Sequence, residues 1–165
     1  MSELVKSAVA QGVSVMAFGD LYLADIRAYR EQQLRGTALR PVFPLWGRDT
    51  ATLAQEMVRR GLKATVSCVD SAQLSPQFAG REFDAALLRE LPASVDHCGE
   101  NGEFHTFAWD GPGFRRPVGV RVGDTAEQDG FAVADLQPAA PARTETFLPA
   151  GAVEPHDIAT DKGPG

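Results

Sequence analysis

A chain of 165 residues fits one domain, which buries roughly 70% of the surface its unfolded form exposes, and its 16 Lys and Arg against 22 Asp and Glu leave a net charge of -6. That balance disfavours a nucleic-acid backbone or an anionic membrane surface as the main partner. The apolar runs are short and broken by charge, so none approaches the ~20 residues of a spanning helix, and the N-terminus lacks the continuous apolar core of a signal peptide. A cytoplasmic protein is expected, with Cys68 and Cys98 as two free thiols instead of a disulfide scaffold.

In chain order, Val13 to Phe18 predicts a short apolar strand ending at Gly19-Asp20. An amphipathic helix follows from about Leu21 to Leu34, with Leu23, Ile26 and Leu34 inward and Asp25, Arg27, Arg30 and Glu31 on its polar face. Pro41 to Leu45 predicts a second strand, and Trp46-Gly47-Arg48-Asp49-Thr50 a turn in which Asp49 or Thr50 caps the next helix. That helix sets Leu53, Ala54, Met57 and Val58 on one face and stops at Gly61. Lys63 to Val69 is β-branched and alternates only weakly, as a parallel strand covered on both faces does. Alternation of strand and helix with short links predicts an α/β fold over residues 1–70, a parallel sheet with right-handed helical crossovers.

The character changes beyond Asp70. Phe83 to Leu91 predicts a short helix, Phe104 to Trp109 a strand, and Val118 to Val122 with Gly130 to Leu136 a hairpin, so residues 71–136 form a smaller α+β portion. Residues 137–165, rich in Pro, Ala, Thr and Gly, predict a disordered tail.

Candidate site residues come from two places. Ligands collect at the carboxyl ends of strands in an open parallel sheet, which singles out Gly19-Asp20, the Trp46-Gly47-Arg48-Asp49 turn and Asp70. Each has a structural reading as well: Asp20 and Asp49 as helix caps, Arg48 as a solvated charge, Trp46 as core. The second place is Asp96 to Pro112, where acidic and flexible residues gather without periodicity. Gly99 and Gly102 permit backbone angles closed to other residues, Glu100 and Glu103 supply carboxylates, and His105 a titratable ring. Gly80-Arg81-Glu82 with Asp84 reads either as a further wall or as a charge cluster opening a helix.

Four segments then carry a resemblance. Phe18-Gly19-Asp20-Leu21-Tyr22-Leu23-Ala24-Asp25-Ile26-Arg27, Pro44-Leu45-Trp46-Gly47-Arg48-Asp49-Thr50, Gly80-Arg81-Glu82-Phe83-Asp84 and Cys98-Gly99-Glu100-Asn101-Gly102-Glu103-Phe104-His105-Thr106-Phe107 resemble, in order, motifs of the diphthine-ammonia ligase family, in its bacterial branch of ATP-binding proteins. The likeness covers about Val5 to Leu136. It implies an adenine nucleotide alpha hydrolase-like fold and a reaction in which ATP, with Mg²⁺, adenylates a carboxylate that ammonia converts to an amide. It also implies that bacterial members amidate an acceptor other than diphthine.

Members of that family begin with a strand and a Ser-Gly-Gly-x-Asp-Ser loop that holds the ATP phosphates, and this sequence has no such loop. The expectation is therefore a truncated nucleotide-hydrolase-like sheet followed by an acceptor-binding portion, not an autonomous enzyme. ATP and Mg²⁺ are not expected to bind tightly to this chain alone, and a separate nucleotide-binding chain or self-association would complete it. Within the resemblance, Glu100 and Glu103 would hold ammonium or accept its proton as catalytic residues. Asn101 and the loop N–H groups would bind the acceptor, Arg48 would neutralise phosphate charge, and Asp20, Trp46, Asp49, Gly99, Gly102, His105 and Thr106 would line the substrate site. Competing chemistries are a metal held by His97, Cys98 and His105, whose spacing matches no common zinc pattern, and a Cys98 nucleophile paired with His105. The alternative function is a non-catalytic small-molecule binding module or one half of a split ATP-binding protein.

Overall fold

The computed structural model describes residues 2–139. The first layer contains α1 (Ser2–Ala10), β1 (Val15–Ala17), α2 (Ala24–Leu34) and β2 (Arg40–Val42). β1 and β2 pair in parallel, with Val15 opposite Arg40 and Ala17 opposite Val42. Val5, Leu34 and Leu39 form the small core of this layer, with Ala8, Val9, Met16 and Phe18 packed against it.

The second layer is built on α3 (Thr50–Arg59), β3 (Lys63–Asp70), α4 (Ala85–Glu90), β4 (Phe104–Asp110), β5 (Val120–Gln128) and β6 (Phe131–Pro138). Asp49 caps α3 by accepting the Thr52 N–H at 2.8 Å, and Asp84 caps α4 by accepting the Leu87 N–H at 2.8 Å. The strands form one antiparallel sheet in the order β4-β3-β6-β5. Ala54 of α3 and Leu87 and Leu88 of α4 join Val66, Val69, Phe104 and Ala132 of the sheet in the main core. Alternation along β6 follows from this one-sided cover, since Ala132 and Ala134 are buried while Phe131 and Val133 are exposed.

Mixed α/β architecture is thus present, with the parallel pairing confined to β1 and β2. The expected third parallel strand is a correction: β3 pairs antiparallel with β4 and β6. Its near-continuous burial misled the pattern. In its first half the segment after Phe78 adds a further edge, with Val66 N–H donating to Arg81 O and Phe83 N–H to Ala64 O, both at 2.8 Å. On the face away from the core, the Trp109 indole N–H donates to the Thr65 hydroxyl at 3.2 Å. A bulge between Val66 and Cys68 then breaks the alternation. The hairpin of β5 and β6 is longer than expected, and β6 takes in Gln137 and Pro138 of the expected tail; residues 140–165 lie outside the described residues. Among the described residues, no helix is long and apolar enough to cross a membrane.

Surface charges set the pH response of this fold. Hydrogen bonds from Thr52 to Asp49 and from Gln73 to Asp70, and Arg48 and Arg81 bonded to Glu56 and Glu90, hold all four carboxyls below their ordinary values. Carboxyls depressed in the folded state contribute stability above their unfolded values of 3.8 for Asp and 4.5 for Glu, and lose it as pH falls through the lower folded values. Lys63, raised by its bond to Glu82, behaves oppositely: its contribution is complete below 10.5 and fades as pH rises through the higher folded value. Thermal melts should therefore be level from about pH 5.5 to about pH 8 and fall steadily below about pH 4; they should fall again above about pH 9, where the Cys98 thiol, raised by burial from 9.0 to about 12, ionises in the unfolded chain alone. Melts that held level down to about pH 2 would contradict this.

Candidate functional site

Two sequence motifs meet a third at Leu21. Its N–H donates to Glu100 Oε1 at 2.7 Å, and its carbonyl accepts the Gly47 N–H at 2.8 Å. The Tyr22 hydroxyl adds a bond to Asn101 Oδ1 at 3.0 Å. The β1–α2 turn is therefore pinned to the Asp96–Gly102 loop on one side and to the β2–α3 turn on the other. Between turn and loop lies a cleft of about 480 Å³ lined by Asp20, Leu23, Ile26, Arg30, Cys98, Gly99, Glu100, Gly102, Phe104, His105 and Thr106.

The loop is shaped by its own carboxylates. Asp96 Oδ1 accepts the N–H groups of Cys98 at 2.8 Å and Glu100 at 3.2 Å. Glu103 is 1% exposed, and its Oε1 accepts from Asp96 N at 2.8 Å and Asn101 Nδ2 at 3.0 Å while Oε2 accepts from Asn101 N at 3.0 Å. Three bonds to one buried carboxylate make it the loop's internal anchor. Gly99 is required by geometry: φ is +68° and a Cβ there would stand 2.6 Å from the Phe104 carbonyl oxygen. Gly99→Ala should cost about 2 kcal/mol of stability by urea unfolding. A variant as stable as the parent would show that the loop has room that this backbone lacks.

Of the predicted site residues, Asp20, Gly99, Glu100, Gly102, His105 and Thr106 come together in the cleft. Asn101 stands beside them through Tyr22 and Glu103. Glu103 lies behind the loop instead of lining the cleft, because its oxygens are occupied by loop N–H groups. The β2–α3 turn has other partners: Trp46 packs edge-on against Phe43 beneath Arg27, Arg48 pairs with Glu56, and Asp49 caps α3. Asp70 folds back on Ala72 N and Gln73 Nε2. The Gly80–Asp84 cluster is spent structurally, with Arg81 on Glu90, Glu82 on Lys63 and Asp84 at the start of α4.

Both competing chemistries lose support from this geometry. Cys98 donates to the Thr50 carbonyl at 3.4 Å, and burial, reinforced by Asp96, Glu100 and Asp49, pushes its thiol up to about 12. Such a thiol is not an activated nucleophile. Among the described residues, no three His, Cys, Asp or Glu side chains converge as a metal-holding group.

Leu23, Ile26, Phe104 and Arg30 line the cleft beyond the predicted site residues, and Arg30 is the charged one among them. It was assigned to the polar face of α2, yet it follows Leu23 and Ile26 at helical spacing and shares their face. An arginine in register with inward apolar residues was the available signal.

Comparisons with known proteins cover the loop side of this cleft. The family model described as the diphthamide synthase C-terminal domain matches residues 49–135, more than half of the chain. Diphthine–ammonia ligase of Danio rerio is 34% identical over 129 residues, covering 73% of this chain and 49% of that protein. The protein of the same name from Bos taurus is 32% identical over 130 residues, covering 74% and 47%, and that from Homo sapiens 32% over 114, covering 66% and 41%. The chain thus spans about half the length, or somewhat less, of the curated relatives it matches. With α3, α4, the Asp96–Gly102 loop and all of the antiparallel sheet except the end of β6 inside the matched region, the chain belongs to the diphthamide synthase C-terminal domain family.

Proposed function

We propose that this chain is the acceptor-binding portion of an amide-forming ligase, in which the cleft between the β1–α2 turn and the Asp96–Gly102 loop receives a carboxylate-bearing acceptor and ammonia. The observation that carries the reading is the clamp on Leu21, which brings the Glu100 carboxylate and the Asp20 turn to opposite walls of one cleft. Glu100 uses Oε1 on Leu21 N, and among the described residues nothing donates to Oε2. That oxygen is the one to hold ammonium and take a proton from it, which frees the nitrogen lone pair to attack the activated carboxyl carbon, form the C–N bond and expel the activating group, AMP if the carboxylate is adenylated. Asn101, fixed by Glu103 and Tyr22, holds the loop beside it, and burial first and nearby Asp96 second raise the Tyr22 phenol, so it remains a donor. Glu103 acts as a positioning residue.

ATP does not fit this cleft. Asp20 and Glu100 face it with Arg30 as the one cationic side chain among the lining residues, an unsuitable setting for a triphosphate. Activation of the carboxylate is assigned to a nucleotide-binding segment such as the remaining half of the longer relatives. The outer edge of β1, which pairs only with β2 among the described residues and leaves Val13 and Val15 exposed, is consistent with such a companion.

Calorimetric titration tests this division of labour. ATP with Mg²⁺ should give no binding tighter than about millimolar to the chain alone. Adding the part of the Danio rerio ligase that this chain does not match should give the mixture micromolar affinity. A low-micromolar dissociation constant for the isolated chain would contradict the assignment.

A further inference from the structure

A second concavity, apart from the cleft, lies between α3 and α4. It measures about 280 Å³ and is lined by Gln55, Val58 and Arg59 of α3 and by Ala85, Leu88 and Arg89 of α4. Leu88 and the half-buried Val58 reach it from the edge of the main core and form an apolar floor. Arg59 and Arg89 are exposed and stand on different helices, so each supplies a cationic wall on its own side. Neither has a carboxylate partner among the described residues, although Arg48, Arg60 and Arg81 all do. The nearest glutamates along each helix are engaged elsewhere, Glu56 by Arg48 and Arg60, and Glu90 by Arg81. A place in the last turn of each helix favours a cation. It does not account for an apolar hollow between two of them, without one acidic lining residue, in a chain of net charge -6.

We infer that this groove is a docking site for another protein, whose contact segment carries an apolar side chain flanked by carboxylates. The walls are open, since Gln55, Arg59, Ala85 and Arg89 are all exposed, whereas a small-molecule site covers most of its occupant. An apolar side chain held on a partner's backbone needs only the floor. Arginines without an internal partner can take the incoming carboxylates, each through two parallel N–H bonds, with no ion pair to break first. Their aliphatic stems extend the apolar surface beneath those heads. The helix also sets where such a partner is held. α3 starts at Thr50, whose carbonyl accepts from Cys98 of the cleft loop, and Gln55 to Arg59 follow at 1.5 Å per residue, so the groove begins about 8–14 Å from that loop. None of the groove residues lines the cleft, and the docking site therefore stands or falls apart from the acceptor reading.

The probe is the peptide acetyl-Glu-Glu-Phe-Leu-Glu-Glu-amide, titrated into the full chain and followed in ¹H–¹⁵N and methyl spectra. It should shift the Val58 and Leu88 methyl signals and the Arg59 and Arg89 Nε–H signals, saturating by about 1 mM, while Arg48, Arg60 and Arg81 stay in place. Replacing its glutamates by lysine should abolish the response, and replacing Phe-Leu by Ala-Ala should weaken it at least fivefold. Arg59→Gln combined with Arg89→Gln should weaken it at least tenfold with the melting temperature unchanged, as both side chains are exposed. If the double variant melts early, each single variant should weaken the response at least threefold. No saturable shift, an equal response to the lysine peptide, or undiminished binding by the variants would overturn the docking site. Sodium benzoate or inorganic phosphate giving the same shifts at the same or lower concentration would make this a site for small anions, and would overturn the assignment of a protein partner.

Discussion

Glu103→Ala should lower stability by about 4 kcal/mol, the largest effect expected of any single substitution in the loop. Truncation leaves three donors, the N–H groups of Asp96 and Asn101 and the Asn101 amide, without their acceptor in a site that is 1% exposed. Each such donor costs about 1–3 kcal/mol when buried and unpaired, with partial relief as the loop relaxes. In a chain of this size the melting temperature should fall roughly 8–16 °C. Glu103→Gln should fall between, since one amide oxygen replaces two carboxylate oxygens and its NH₂ faces other donors. Urea unfolding followed by tryptophan fluorescence measures the change. A loss below about 1 kcal/mol for Glu103→Ala would mean that the loop is held by something other than this carboxylate.

Glu100 is expected to show the converse profile. Glu100→Gln keeps an oxygen for the Leu21 N–H, so the clamp and the melting temperature should be little changed. What it removes is the basic second oxygen. In a chain completed by a nucleotide-binding half, turnover should fall by about 10², the usual scale for a positioned acid or base. Glu100→Ala removes both functions and should lower turnover and melting temperature together. If Glu100→Gln matched the parent in turnover, the residue would be a clamp alone, and the carboxylate chemistry would have to be sought at Asp20.

Local chemistry in this protein was readable from sequence to a considerable degree. Asp49 as the cap of α3, the apolar face of Leu53 and Ala54, and the stop at Gly61 with its positive φ of +86° follow from rules that act within one turn of chain. The strand after Gly102 and the hairpin near Gly130 follow from equally local signals. Strand direction was different. β3 carries a run of buried residues because Trp109, 44 residues on, covers Thr65 on the face away from the core while the segment after Phe78 pairs along its edge. The two glutamates show the same limit at the site. Residue type and spacing are alike at Glu100 and Glu103, yet one lines a cleft and the other is buried behind it, a difference settled by the folding of the loop around Gly99.

The account rests on the cleft being the place where ammonia meets an activated carboxyl group. The most direct measurement joins this chain to the part of the Danio rerio ligase that it does not match and supplies ATP, [¹⁵N]ammonium, and diphthine with a series of aliphatic carboxylates. Mass spectrometry then follows ¹⁵N into amide. The predicted result is ATP-dependent labelling of at least one acceptor, reduced about 10² in Glu100→Gln. A folded chimera that labels no acceptor, or labels it equally well with Glu100→Gln, would contradict the account.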